Sequence, residues 1–400
     1  MLIGLIGKAN VGKSTFFIAS TDAPVPIGNY PFTTIQPNMG ICHVRIECVC
    51  KEFNVTDNPV HSYCIQGNRF IPLEIIDVAG LVPGAHEGRG LGNQFLDDAR
   101  LADGLIQIVD ISGSTDSEGH SIEKGSHDPL EDIEFVEQEF DHWLLNIVKK
   151  DMEKHSRDFE SIGTIAGQIL AKRLSGLGIS PAVIDKARND LALTNRKLNS
   201  WTDSETLEFC KYVRKLSKPM VIAANKIDVA TSYDFLNKAQ KDKENVLPCM
   251  AEAEALLRKA AKSRLIEYIS GDGYFNIKDR SKLNEKQLNV LERISSLMNS
   301  YGSTGVQQII NTLCFGLLKK KIVFPVEDEL KLTDKKGNIL PEARLLNENA
   351  TAKDLAYDIH NDLGNNFLFA IDIRSKRRVG ADHILRNRDV IKIVSAASRK

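Results

Sequence analysis

The sequence predicts an α/β fold in which parallel strands alternate with helices around a phosphate-binding loop. Three observations support this prediction. An apolar run from Leu2 to Ile6 precedes a glycine-rich segment, and a second apolar run ends at Asp77. A third run, from Pro219 to Ala224, is short, continuous and apolar. Such runs are typical of strands that are buried on both faces of a parallel sheet.

Length and composition indicate a soluble protein with more than one domain. The chain has 400 residues, whereas a single core rarely grows beyond about 250–300 residues. The formal net charge is -1, so no overall positive field attracts nucleic acid. The N-terminus lacks a basic leader, and no apolar run approaches the roughly 18 residues of a membrane span. We therefore expect no membrane association.

The cysteines suggest a reducing compartment and raise the possibility of a metal site. Seven scattered cysteines argue against a disulfide framework and predict a cytoplasmic location. Cys48, Cys50, His61 and Cys64 are close enough in sequence to bind zinc. Their C-x-C spacing is tighter than the usual zinc-binding spacing, and thiols without a metal are the alternative. The sequence leaves both interpretations open.

The segment from Gly7 to Thr15 matches the phosphate-binding pattern G-x-x-x-x-G-K-[ST]. Its glycines let successive backbone N–H groups point at a phosphate, and the following helix N-terminus favours an anion. We predict that Lys13 reaches the β- and γ-phosphates and that Ser14 binds Mg²⁺. The predicted nucleotide-binding residues of this loop are Gly7, Asn10, Val11, Gly12, Lys13, Ser14 and Thr15.

A strand that ends in Asp77 and is followed by Gly80 predicts the second part of the phosphate site. Asp77 is expected to hold Mg²⁺ through water, and the Gly80 amide is expected to contact the γ-phosphate. A proline-containing loop before this strand carries Thr33 and Thr34. Either threonine could supply a second hydroxyl to Mg²⁺, and we favour Thr34. Lys13, Thr34 and Gly80 form the predicted catalytic group.

Residues 225–228, Asn-Lys-Ile-Asp, match the pattern N-K-x-D at the end of the third apolar run. The Asp228 carboxylate would accept hydrogen bonds from two guanine N–H groups that adenine does not offer there. We expect Asn225 to brace the loop and the Lys226 stem to cover the base. Ala251 is the candidate for an amide contact with guanine O6, although methionine replaces the usual serine before it.

These motifs resemble those of the YchF branch of the Obg-like P-loop nucleotide hydrolases, in its archaeal form. The resemblance extends nearly from end to end and includes segments 29–38, 77–85, 87–93, 251–254 and 265–269. It implies a Ras-like P-loop domain, an inserted helical domain and a C-terminal β-grasp domain of the TGS type. It also implies Mg²⁺-dependent hydrolysis of GTP or ATP.

The sequence pattern assigns these domains to residue ranges. Apolar residues recur at helical spacing between Asp128 and Leu191, and short strands and turns begin near Ile322. Thr351 is typical of a helix start, and Val390–Val394 of a closing strand. The predicted ranges are 1–112 and 218–320 for the P-loop domain, 113–217 for the helical domain and 321–400 for the TGS domain.

The intact N-K-x-D pattern favours GTP as substrate, with GDP and phosphate as products. The resemblance implies that many bacterial and eukaryotic members of this branch prefer ATP, because their base motif departs from N-K-x-D. ATP preference is nevertheless one alternative. Another is an adaptor that binds RNA or the ribosome under nucleotide control and hydrolyses almost nothing.

The residue after D-x-x-G is Leu81, where Ras-type enzymes carry a glutamine that orients the attacking water. Leucine cannot form that hydrogen bond, which predicts slow intrinsic turnover. His86, Arg89 and Gln107 are candidates for assisting catalysis. The alternative for His86 and Arg89 is a solvated loop, and the alternative for Gln107 is that it satisfies backbone groups.

Asn10 stands where related potassium-stimulated GTPases carry a cation-binding asparagine, which suggests that K⁺ binds there. The alternative is that Asn10 stabilises a turn.

The expected partner is the ribosome or ribosomal RNA, contacted through the TGS and helical domains. Basic residues in these regions could meet RNA phosphate, although charged helix faces are usually just solvated. The basic residues concerned are Lys149, Lys150, Lys172, Arg173, Arg374, Lys376, Arg377 and Arg378.

Overall fold

The computed structural model describes residues 1–21, 39–78, 80, 84, 99–154 and 163–396. These residues divide into two compact units. The first contains residues 1–21, 39–40 and 74–309, and the second contains residues 41–73 and 310–396. Residues 41–73, which lie inside the predicted P-loop range 1–112, thus belong to the same unit as the C-terminal part of the chain.

The strands and helices of the described residues are numbered in chain order. The strands are β1 (Leu2–Ile6), β2 (Met39–Glu47), β3 (Tyr63–Ile65), β4 (Asn68–Asp77), β5 (Gly104–Asp110), β6 (Met220–Asn225), β7 (Val246–Pro248), β8 (Ile266–Glu267), β9 (Asn276–Ile277), β10 (Lys321–Val326), β11 (Arg344–Leu346), β12 (Phe367–Asp372), β13 (Arg377–Val379) and β14 (Asp389–Ser395). The α-helices are α1 (Lys13–Thr21), α2 (Pro129–Lys154), α3 (Gly163–Leu174), α4 (Pro181–Asp190), α5 (Asp203–Ser217), α6 (Ser232–Asp242), α7 (Ala251–Lys262), α8 (Glu285–Tyr301), α9 (Val306–Asn311), α10 (Ala352–Ile359) and α11 (Asn361–Asn365).

A parallel sheet with the order β4-β1-β5-β6-β7 forms the centre of the first unit, to which β4 contributes residues 74–77. All seven residues of β5 are buried, as expected for a strand covered on both faces. The register places Asp77 of β4 beside Leu5 of β1, and Asp110 of β5 beside Asn225 of β6. The carboxyl ends of these strands therefore lie at one edge, where ligands bind in α/β sheets.

The chain between β5 and β6 forms the helices α2 to α5. The Asp128 carboxylate accepts a hydrogen bond from the Leu130 amide at 3.1 Å at the start of α2, where the sequence predicts a helix. Helix α5 begins with a capping box formed by Thr202 and Glu205. The apolar faces of these helices enclose a buried core that includes Leu144, Leu170, Ile184, Phe209 and Val213. The predicted inserted helical region is confirmed.

In the second unit, the C-terminal strands form a mixed sheet with the order β11-β10-β14-β12-β13. Strands β10 and β14 are parallel and their other pairings are antiparallel. Helix α10 begins at a capping box of Thr351 and Asp354, as predicted. Its Leu355 packs into a core with Val323 and Ile391. This arrangement is the expected β-grasp fold. No helix among the described residues is long and apolar enough to cross a membrane.

Candidate nucleotide-binding site

Two glycines shape the loop between β1 and α1. Gly12 has a φ of 99°, and a Cβ there would lie 2.3 Å from Nδ2 of Asn225. Gly7 has a φ of 144°, and a Cβ there would lie 2.5 Å from the carbonyl oxygen of Ile108. A side chain is therefore excluded at both positions, and the loop backbone stays close to β5 and β6.

Lys13 lies at the first residue of α1 and folds back across the loop. Its Nζ donates a hydrogen bond to the Lys8 carbonyl at 3.0 Å. A Cβ on Gly80 would lie 3.5 Å from the same Nζ, so these two predicted phosphate contacts are neighbours. Burial lowers the pKa of Lys13, and the Asp77 carboxylate opposes this shift. A partly desolvated ammonium group gains from an anionic partner such as phosphate.

Ser14 and Asp77 meet where the sequence predicts Mg²⁺. The Ser14 hydroxyl donates a hydrogen bond to Oδ2 of Asp77 at 2.9 Å. The other carboxylate oxygen, Oδ1, is buried, and no described residue donates a hydrogen bond to it. Hydroxyl and carboxylate oxygens are the ligands that Mg²⁺ prefers. The pair therefore fits this ion, and its role as a ligand set stays a prediction.

Asn225 links the phosphate-binding loop to the loop before α7. It is 4% exposed. Its Nδ2 donates a hydrogen bond to the Val11 carbonyl at 3.0 Å, and its Oδ1 accepts one from the Ala251 amide at 3.1 Å. One side chain thus satisfies two backbone groups from segments that are far apart in sequence. This contact agrees with the predicted bracing role of Asn225.

Lys226 and Asp228 belong to the loop that begins after Asn225. Lys226 has a φ of 64°, and its Nζ donates a hydrogen bond to Oδ2 of the buried Asp110 at 2.8 Å. Burial opposes ionisation of Asp110, but hydrogen bonds from Lys226, Ser112 and Ser114 outweigh it and lower its pKa. Asp228 is exposed, and none of the described side chains donates a hydrogen bond to its carboxylate. That carboxylate is accessible to a ligand.

Sequence reasoning missed Asp110, although a signal was present. Like Asp77, it ends a buried strand, and it is followed by hydroxyl residues. Those hydroxyls, from Ser112, Ser114 and Thr115, all donate hydrogen bonds to its carboxylate. Asp110 thereby positions the Lys226 side chain, which the sequence predicts to cover the base.

Ala251 is the first residue of α7. Its amide donates to Asn225, and the predicted contact of this amide with guanine O6 stays a prediction. The same helix carries Glu254, which is 1% exposed. Glu254 accepts hydrogen bonds from the Tyr268 hydroxyl at 2.6 Å and the Thr304 hydroxyl at 2.5 Å. The resemblance includes Glu254 without giving its role. The contacts of Glu254 indicate that it links the start of α7 to the segments that contain Tyr268 and Thr304.

A buried ion pair lies directly beneath the phosphate-binding loop. The Lys8 side chain is 1% exposed, and its Nζ lies 2.7 Å from Oδ2 and 2.8 Å from Oδ1 of Asp132. Lys8 also donates to the Thr115 carbonyl, and Nε2 of His127 lies 2.8 Å from Oδ1 of Asp132.

The buried Gln107 donates to the Asp132 carbonyl at 3.1 Å. This agrees with the alternative prediction that Gln107 satisfies backbone groups.

Asn10 lies at the outer turn of the loop. It has a φ of 60°, a left-handed conformation that asparagine tolerates. Its Nδ2 donates a hydrogen bond to the Gly119 carbonyl at 2.8 Å. This contact agrees with the turn-stabilising alternative. A bound K⁺ would use the other side-chain atom, Oδ1, so the K⁺ hypothesis stays a prediction.

Several predicted residues lie outside the described part of the chain. They are the Mg²⁺ candidates Thr33 and Thr34, the hydrophobic Leu81, and the assisting candidates His86 and Arg89. Their predicted roles therefore rest on the sequence. Among the basic residues suggested for RNA, Lys149 pairs with Asp203 at 2.8 Å. Local carboxylates thus compensate part of that charge.

Three family models match the chain in consecutive parts. A model described as 50S ribosome-binding GTPase matches residues 2–154. One described as Obg-like GTPase YGR210-like, G4 motif-containing domain, matches residues 223–328. A TGS domain model matches residues 332–395. The matched segments contain the phosphate loop, the N-K-x-D loop and the C-terminal mixed sheet.

Three similar proteins cover between 69% and 99% of the chain. An uncharacterized GTP-binding protein of Methanocaldococcus jannaschii is 48% identical over 398 residues, 99% of each chain. The ribosome-binding ATPase YchF of Buchnera aphidicola is 31% identical over 69% of this chain and 71% of its own. The crystal structure of a GTP binding protein from Pyrococcus horikoshii has a TM-score of 0.79 at 36% identity, and covers 99% of this chain and 100% of its own.

Proposed function

Because this chain belongs to the Obg-like, YchF-type family of P-loop GTPases with a C-terminal TGS domain, we propose that it binds GTP and hydrolyses it to GDP and phosphate. The observation that carries the proposal is the accessible Asp228 carboxylate. It follows a strand whose last residue, Asn225, is tied to the phosphate-binding loop. A carboxylate in that position can accept two hydrogen bonds from the edge of guanine.

The phosphate end of the site supports direct attack of water on the γ-phosphate. Lys13 and the loop amides stabilise charge on the transferred phosphoryl group. Ser14, Asp77 and Thr34 would hold Mg²⁺, which neutralises the negative charge that develops between the β- and γ-phosphates. The Gly80 amide, adjacent to Lys13, would sense whether the γ-phosphate is present.

Base selectivity gives the first test. Wild-type protein is expected to bind GTP and GDP more tightly than ATP when Mg²⁺ is present. Asp228→Ala is expected to weaken GTP and GDP binding by a factor of about 10² to 10⁴, because two hydrogen bonds to a charged acceptor are lost at about 1.5–3 kcal/mol each. ATP binding should change little. Equilibrium titration with fluorescent nucleotides, with and without Mg²⁺, measures all three affinities.

Asp234→Ala is the matched control, since it removes another exposed carboxylate of the same unit, in the first turn of α6. It should leave the affinities unchanged. Wild-type binding of ATP that equals or exceeds binding of GTP would overturn the proposed specificity. It would instead support the ATP preference suggested by the name of the Buchnera relative.

Turnover gives the second test, because it separates an enzyme from a nucleotide-gated adaptor. Leu81 in place of the water-orienting glutamine is expected to make hydrolysis by the isolated protein slow. We expect the rate to rise when K⁺ replaces Na⁺ or when 50S ribosomal subunits are added, the latter since one matching family model is described as 50S ribosome-binding. Phosphate release from GTP measures the rate. A negligible rate in K⁺ and in Na⁺, with and without 50S subunits, would favour the adaptor.

A further inference from the structure

Three thiols and one carboxylate meet in the second unit, whereas the described nucleotide-binding residues belong to the first unit. They belong to Cys48, Cys50, Asp57 and Cys64, and their ligand atoms all lie within 4.8 Å of one another. Cys48 and Cys50 are buried, and Asp57 and Cys64 are partly buried. No role in nucleotide binding requires this cluster, so another physical explanation is needed.

The local backbone brings these residues together. Strands β3 and β4 are joined by Gln66 and Gly67, whose φ values of 50° and 74° are typical of a tight two-residue hairpin turn. The hairpin pairs Cys64 with Arg69. The Cys48 amide donates a hydrogen bond to the Gly67 carbonyl at 2.8 Å, which fixes the segment after β2 against the hairpin.

The distances within the cluster suit a tetrahedral metal ion. Sγ of Cys50 lies 3.9 Å from Sγ of Cys64, and Sγ of Cys48 lies 3.1 Å from Oδ2 of Asp57. Four ligands around zinc, with zinc–sulfur bonds of about 2.3 Å, place neighbouring sulfur atoms about 3.8 Å apart. We propose that Cys48, Cys50, Asp57 and Cys64 bind a structural Zn²⁺ ion.

Arg69 supplies the outer support that such a site needs. Its side chain is 0% exposed, and it donates hydrogen bonds to Oδ2 of Asp57 at 2.8 Å and to the Ser62 hydroxyl at 2.9 Å. Groups that hold a metal-binding carboxylate in place are a regular part of metal sites. A divalent cation and Arg69 together compensate three of the four charges carried by the ionised ligands, which would otherwise repel one another.

The ligand set corrects the sequence-based candidate in one position. His61 is not part of the cluster, because its Nδ1 lies 2.6 Å from Oε1 of Glu342 and its side chain is 44% exposed. Asp57 takes the fourth position instead. Thiolates with one carboxylate select zinc over magnesium or calcium, which prefer oxygen ligands only. Four protein ligands leave no open position for catalysis, so the ion would stabilise the segment between β2 and β3.

The test uses the whole chain, expressed with zinc in the medium and purified under reducing conditions without chelator. Elemental analysis is expected to find about one zinc ion per chain in wild type. The Cys48→Ser/Cys64→Ser variant should lose the ion. Cys42→Ser is the matched control, since Cys42 is a buried cysteine of β2 outside the cluster; this variant should retain zinc.

A second measurement uses the wild-type protein. Replacing zinc with Co²⁺ in wild type should give the absorption bands of thiolate-bound tetrahedral cobalt, and removal of the metal should lower the thermal midpoint. Wild type without bound metal or cobalt bands would overturn the proposal. So would a mass two daltons low from a Cys50–Cys64 disulfide in the freshly purified protein, or zinc that survives in the double variant.

Discussion

Asp132→Ala is expected to lower the free energy of unfolding of the first unit by about 3–5 kcal/mol. The Lys8 ammonium is almost completely buried against this carboxylate. Removing one partner of a buried pair leaves the other charge desolvated and uncompensated. Lys8 also holds the phosphate-binding loop through its carbonyl, which accepts a hydrogen bond from Lys13. Nucleotide affinity should therefore fall together with stability.

Denaturant unfolding followed by tryptophan fluorescence measures this effect, since Trp143 and Trp201 both belong to the first unit. Lys8→Met combined with Asp132→Leu should recover most of the lost stability, because apolar replacement of a buried pair is often neutral. Lys149→Ala, which breaks the partly exposed ion pair between Lys149 of α2 and Asp203 of α5, should change stability by less than about 1 kcal/mol. An Asp132→Ala variant as stable as wild type would contradict the burial argument.

Asn225→Ala is expected to lower the free energy of unfolding by about 2–6 kcal/mol, because each of two buried backbone groups left without a partner costs about 1–3 kcal/mol. The groups are the Val11 carbonyl and the Ala251 amide. Since one belongs to the phosphate-binding loop and the other to the opposite loop, GTP and ATP should both bind more weakly. This differs from Asp228→Ala, which should affect guanine nucleotides alone.

The same unfolding and titration experiments test this variant. Asn237→Ala is the control, because Asn237 is a partly buried asparagine of α6 whose side chain has no hydrogen-bond partner among the described residues. It should keep wild-type stability and affinity. Loss of GTP binding with unchanged ATP binding in Asn225→Ala would mean that this residue reads the base and does not brace the loops.

Contiguous motifs could be predicted from the sequence because their chemistry resides in one short stretch of backbone. The loop before Lys13 and the segment ending in Asp228 are examples, and both follow buried strands as expected. The Lys8–Asp132 pair could not be predicted, since 124 positions separate the two residues. Nothing local distinguishes Asp132 from Glu131, its acidic neighbour in the first turn of α2.

The proposed zinc site illustrates the same limit at shorter range. The sequence shows the cysteines, but only the folded chain shows that the Asp57 carboxylate, and not the His61 ring, lies among their thiols. Histidine is the commoner partner of cysteine in zinc sites. In the fold, the buried Arg69 guanidinium donates a hydrogen bond to the Asp57 carboxylate and holds it beside the thiols.

The pairing of β5 with β6 has a consequence for the number of residues that each strand can contain. Asp110 and Asn225 stand opposite each other only because the two strands are aligned residue by residue from Leu105 and Met220 onward. Inserting or deleting one residue within β6 would turn the Asn225 side chain to the other face of the sheet. Many apolar substitutions in β6 could preserve burial, but a change in its length would separate the two loops that Asn225 joins.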